Sequence, residues 1–127
     1  MSNSHLSHQL REYEQRLQNL GTLRGKPVRD RTLAVLGLLN HRENLHRTLN
    51  AVNTLPNHSL QHLLKLDARL KQNAGYIIRK LLNPNQLETW RKEILNRSDQ
   101  WWWHLEDKIA DRKKMDFCKF LRVLSGW

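Results

Sequence analysis

Apolar residues alternating at spacings of four and three open this chain, and no other feature constrains its fold as much. Leu6, Leu10, Tyr13, Leu17 and Leu20 fall on one narrow stripe of a helix running from about Ser4 to Leu20. Arg11, Glu12, Glu14, Gln15 and Arg16 occupy the remaining faces. A stripe this narrow suits pairing with another helix, from the same chain or from a second copy. The rest of the sequence keeps the same bias, with 24 Leu against 4 Val and 4 Ile. Leucine enters a helix at little cost, whereas β-branched residues favour strands.

Punctuation residues then divide the chain. Gly21 and Gly25 bracket a break, and Pro27 suits the start of a second helix. Val35, Leu38, Leu45, Leu49 and Val52 form its seam, with Arg42 at one seam position. Leu33, Leu36 and Leu39 widen the apolar face and mark this half as the more buried; Gly37 and Asn40 are points where the helix can bend. Pro56 and Asn57 end that helix and begin a third, running to about Leu82. Its seam is Leu60, Leu63, Leu70, Ala74, Ile77 and Leu81, interrupted by Asp67. Arg42 and Asp67, the two charged seam residues, either pair between helices or lie at exposed ends of the seam.

In Asn83-Pro84-Asn85-Gln86 an Asn can cap, a Pro needs no donor at the first position, and a Gln can reach back. Leu87, Trp90 and Ile94 follow, and Trp101, Leu105 and Ile109 continue their stripe, with Ser98-Asp99 either restarting the helix or passed through. Asp116 is placed to cap a last helix bearing Phe117, Phe120, Leu121 and Leu124, which Ser125-Gly126 would stop. Short Pro/Asn/Gly connections favour antiparallel neighbours. The expectation is an all-α bundle of four to six helices in one domain over residues 1–127, with residues 1–23 readable as a separate pairing helix.

Composition narrows the chemistry. Cys118 is the only cysteine, so no internal disulfide forms, and its neighbours Phe117 and Phe120 suggest a structural thiol. The N-terminus is polar and no apolar run approaches roughly 18 residues, which makes the cytoplasm the expected location. His58 with His62, and His5 with His8, each offer two ligands at helical spacing. A metal site needs three or four, and no Cys-x-x-Cys or His-Glu-x-x-His pattern supplies the rest. Glu106 and Asp107 are adjacent and diverge on a helix, and no nucleophile elbow is present. No catalysis, cofactor or metal is expected.

The net charge is +10, unevenly placed: residues 1–83 hold 13 Lys/Arg and 5 Asp/Glu, residues 84–127 hold 9 and 7. Arg24, Lys26, Arg29 and Arg31 flank the start of the second helix, where cations oppose the dipole and free amides favour an anion; Asp30 offers a local alternative. Lys65 and Arg69 share a face of the third helix, which also carries Lys71, Arg79 and Lys80. Lined-up cations suit an RNA or DNA backbone, while nothing points to base-specific reading.

Three tryptophans in a row, Trp101-Trp102-Trp103, fan over roughly 200° on a helix. Trp101 falls on the stripe with Trp90 and Leu105. Trp102 and Trp103 cannot share that face, so at least one is expected to be exposed, unless a C-terminal helix folds over them, and to serve as a binding anchor.

Leu82-Asn83-Pro84-Asn85-Gln86 with Trp90 resembles the helix-start motif of small periplasmic helical chaperones. Helix capping explains the same residues, and no function is carried over. Size and basic helical character are similar to those of small helical subunits of nucleoprotein complexes. The leading expectation is a non-catalytic binding or scaffold module docking on a larger assembly through Trp102, Trp103 and the basic surface. Its partner would be another protein subunit, or a second copy through helix pairing. One rival is a subunit binding nucleic-acid backbone without sequence preference. Another is a membrane-proximal domain using Lys108, Arg112, Lys113, Lys114 and the apolar stretch to Trp127, with Asp107, Asp111 and Asp116 weakening its attraction to anionic lipid.

Overall fold

The computed structural model describes residues 2–52, 55–93 and 99–109. Helices pack against one another as an all-α bundle, with no strand among the described residues. α1 (Ser2–Asn19) tightens into a 3-10 turn at Leu20–Leu23. α2 (Val28–Ala51), α3 (Asn57–Gln72) and the short α4 (Ala74–Tyr76) follow. α4 runs on as a π turn, Ile77–Leu81, before α5 (Gln86–Glu93). A 3-10 turn at Trp101–Trp103 precedes a further helical stretch at 105–109. No helix among the described residues is long and apolar enough to cross a membrane.

The opening stripe is satisfied within the chain. Leu6, Leu10, Tyr13, Leu17 and Leu20 are all buried, and α1 packs on both α2 and α3. Each such side chain contributes roughly 1.5–3 kcal/mol when fully buried. α1 and α2 are antiparallel: His41 donates to the Gln9 carbonyl at 2.8 Å, while Arg16, further along α1, reaches Gly37, nearer the start of α2. Gly37 does not bend α2, which is unbroken over 24 residues. Its missing side chain instead admits Arg16, whose Nη1 would lie 2.9 Å from a Cβ at that position. Leu39 is buried and Leu36 half-buried, but Leu33 stays 57% exposed, so the widened face stops short of the helix start.

The third helix is shorter than the periodicity predicts. Asn73 ends it by turning its side-chain amide onto the Arg69 carbonyl at 2.8 Å, and its backbone N–H donates to the carbonyls of Arg69 and Leu70. Asparagine competes for backbone groups in this way. The chain resumes as α4 and the π turn, which keeps Ala74, Ile77 and Leu81 buried along with Leu70. At the other end of α3, Leu60 is 40% exposed and Leu66 is core instead.

α5 starts at Gln86, two residues later than Pro84 suggests. The preceding turn is closed by the Gln86 N–H on the Asn83 carbonyl at 3.2 Å, with Asn85 at φ 65°. That left-handed conformation is one asparagine tolerates. Ile94, Ser98 and the predicted helix after Asp116, with Cys118 and Phe120, lie outside the described residues.

Candidate functional site

The tryptophan triplet overturns its expectation. Trp102 and Trp103 are each 1% exposed, and Trp101 is the half-buried member. The triplet forms one 3-10 turn instead of part of a long helix. Gln100 before it is extended and His104 after it is irregular, so the turn is free of the single-face limit that a long helix imposes. α2 supplies the cover. The Arg42 guanidinium lies 4.2 Å over the Trp102 ring, and His46 meets the same ring edge-on at 5.4 Å. Trp103 packs edge-on against Trp90 of α5 at 6.4 Å. Both indole N–H groups donate to the same Glu43 oxygen, at 3.2 and 2.9 Å. Rings held this way present no surface to a partner, so the assignment of Trp102 and Trp103 as binding anchors is corrected to core.

Beside them lies a second buried polar group. Arg42 and Asp67 pair through two parallel hydrogen bonds, Nε to Oδ1 at 2.9 Å and Nη2 to Oδ2 at 3.0 Å. The Tyr13 hydroxyl donates to the same Oδ1 at 2.7 Å. Burial, then the neighbouring carboxylate, push the Tyr13 phenol far above its usual range, so it remains a donor. The two charged seam positions thus mark a real interhelical pair. Glu43 and the polar role of Tyr13 were missed. Tyr13 read only as a stripe member, and Glu43 left no signal beyond its place next to Arg42.

The carboxylates of residues 1–83 are mostly engaged inside the protein. Glu12 meets Arg16 at 3.2 Å and His41 at 3.9 Å, and Glu14 accepts from His62 at 3.3 Å. Glu43 and Asp67 are bonded as described, which leaves Asp30 in the first turn of α2. The cations predicted as an anion site face the opposite situation. Arg24, Lys26, Arg29 and Lys65 are exposed, and Arg31 and Arg69 half-buried. None of the six is ion-paired among the described residues, Asp30 included.

They form two groups. Arg24, Lys26, Arg29 and Arg31 surround the start of α2. Lys65 and Arg69 lie on α3, which the Arg42–Asp67 pair fixes eleven residues further along α2, roughly 16 Å of helix rise away.

Among the described residues no three His, Cys, Asp or Glu are grouped to hold a metal ion. His62 is turned to Glu14, and His5, His8 and His58 are exposed. A hollow of about 270 Å³ lies between the π turn, α5 and the 105–109 stretch. Each of its charged members is engaged: Arg91 donates to Glu106 and to the Trp103 carbonyl, both at 2.7 Å, and Glu88 pairs with Lys92 at 3.3 Å. No protein family, characterised protein or solved structure matches the chain.

Proposed function

We propose that this protein is a non-catalytic helical module that binds the phosphate backbone of a nucleic acid through the cations around the start of α2. The observation that supports this reading is the sorting of charge. Glu43 and Asp67 are buried by indole, phenol and guanidinium partners, and Glu12 and Glu14 are paired nearer the surface, while Arg24, Lys26, Arg29 and Arg31 have no ion-pair partner among the described residues. Four cations beside a helix N-terminus repel one another and oppose its dipole, and phosphate oxygens relieve both. Val28 and Leu33 are the group's exposed large apolar neighbours, and no aromatic residue falls within residues 24–33, which suits a charged backbone better than a protein interface with an aromatic centre.

The test is fluorescence anisotropy with labelled single-stranded RNA and duplex DNA at low salt. The intact protein binds both with little sequence preference. The variant Arg24→Gln/Lys26→Gln/Arg29→Gln/Arg31→Gln keeps its helical circular dichroism and loses most of the affinity. Absence of binding to either nucleic acid at low salt removes the reading.

A further inference from the structure

We infer that the outer face of α3, carrying Leu60, Leu64, Ala68 and Lys71 and continued by Trp101, docks an acidic amphipathic helix of a partner protein. α3 has two apolar faces where the bundle uses one. Leu63, Leu66 and Leu70 point into the core. Leu60 and Leu64 are 40% and 59% exposed, and Ala68 and Lys71 are exposed with them. Their 4-4-3 spacing confines the four to a sector of about 80°, over roughly 16 Å of rise. That is three turns, the scale on which one helix lies along another.

The face does not end at Lys71. The Lys71 ammonium sits 4.7 Å over the ring of Trp101, the indole of the triplet that the core leaves half-buried. The lysine stem bridges the leucines and the indole, and its charge stays at the margin. Two leucines beside a partly exposed tryptophan make the kind of centre that carries binding energy.

Charge selects the occupant. Asp67 is the only acid on α3, and it is buried against Arg42. Lys65 flanks the face, about 60° round the helix from Ala68, and Arg69 lies about 40° beyond it; neither has a carboxylate partner among the described residues. A second copy of this face would set those cations against their own equivalents. A phosphate backbone would leave both leucines wet. A helix with an apolar stripe flanked by Glu or Asp buries the leucines and answers the cations together. The inference stands apart from the nucleic-acid reading, since it uses different residues on a different element.

The experiment uses the full chain and two short helical peptides with the same leucine stripe, one flanked by glutamates and one by lysines. Leucine-methyl and indole N–H resonances are followed by NMR, with sedimentation in parallel. The glutamate peptide should shift the signals of Leu60, Leu64 and Trp101 and bind more tightly than the lysine peptide. Leu64→Gln, and separately Lys65→Glu/Arg69→Glu, should weaken it by about tenfold or more. The variant lacking the Arg24–Arg31 cations should bind it as well as the intact protein does. Equal binding of the two peptides, shifts confined to other residues, or the same signals moved by RNA would overturn the inference. So would a self-dimer dissolved by Leu64→Gln, which would give the face to a second copy.

Discussion

Asp67→Ala removes a group that ties α1, α2 and α3 together through polar contacts. The carboxylate accepts three hydrogen bonds, from Arg42 at 2.9 and 3.0 Å and from Tyr13 at 2.7 Å. Bonds to a charged group contribute about 1.5–3 kcal/mol each when measured singly, but these three share one acceptor group and do not add. The larger effect is what stays behind: a guanidinium 5% exposed with no counter-ion, and a buried hydroxyl with no acceptor. Breaking a buried pair from one side costs about 3–5 kcal/mol, a large part of the 5–15 kcal/mol that holds a typical domain together. Urea unfolding followed by circular dichroism reads the loss as a lower midpoint. A triple variant, Tyr13→Phe/Arg42→Met/Asp67→Leu, removes every polar partner at once and should recover most of the stability. A loss below about 1 kcal/mol for Asp67→Ala, the figure of an exposed pair, would refute the claim that this network is buried and structural.

Further predictions rest on the same interior. The folded state holds the Tyr13 proton far above the usual phenol range, whereas the unfolded chain releases it near pH 10, so above that pH the unfolded state binds fewer protons and stability falls by up to about 1.4 kcal/mol per pH unit. The advantage of the intact protein over Tyr13→Phe should therefore be full below about pH 10 and shrink above it; a constant difference through the alkaline range would contradict the geometry. Glu43→Leu strands two indole N–H groups at about 1–3 kcal/mol each, and Glu43→Gln, which keeps an acceptor oxygen, should cost much less by thermal unfolding. Trp102→Ala should cost about 3–5 kcal/mol and Trp101→Ala clearly less, and equal losses in calorimetry would mean that the triplet is not divided as described.

Long-range periodicity was the legible part of this sequence. The α1 stripe follows from residues that must face a core, the starts of α2 and α3 from Pro27 and Pro56, and the Arg42–Asp67 pair was one of the two readings their seam positions left open. What could not be read depends on partners far away in the chain. Asn73 ends α3 through its own side chain, although the apolar spacing on either side of it runs on. Leu60 and Leu33 match the helical period but stay exposed, because no element among the described residues covers them. The tryptophans carried the largest error. Treating them as consecutive positions of one long helix forced one of them outward, whereas a single 3-10 turn packed between α2 and α5 lets Trp102 and Trp103 both go in. Glu43 makes that arrangement work, and its role appears only once residues some sixty positions apart are brought together. The candidate cations were legible as charge; that they have no ion-pair partner among the described residues was not, because it depends on where the acids turn.

Phosphate binding by these cations is the central proposal, and the salt dependence of RNA affinity tests it most directly. Each phosphate neutralised on a single strand contributes about 0.7 to the slope of log affinity against log salt. Removing Arg24, Lys26, Arg29 and Arg31 should therefore flatten the slope of the intact protein by about 2 to 3 when all four engage phosphate. A slope equally steep in the four-residue variant, or an intact protein whose affinity does not change with salt, would contradict the account.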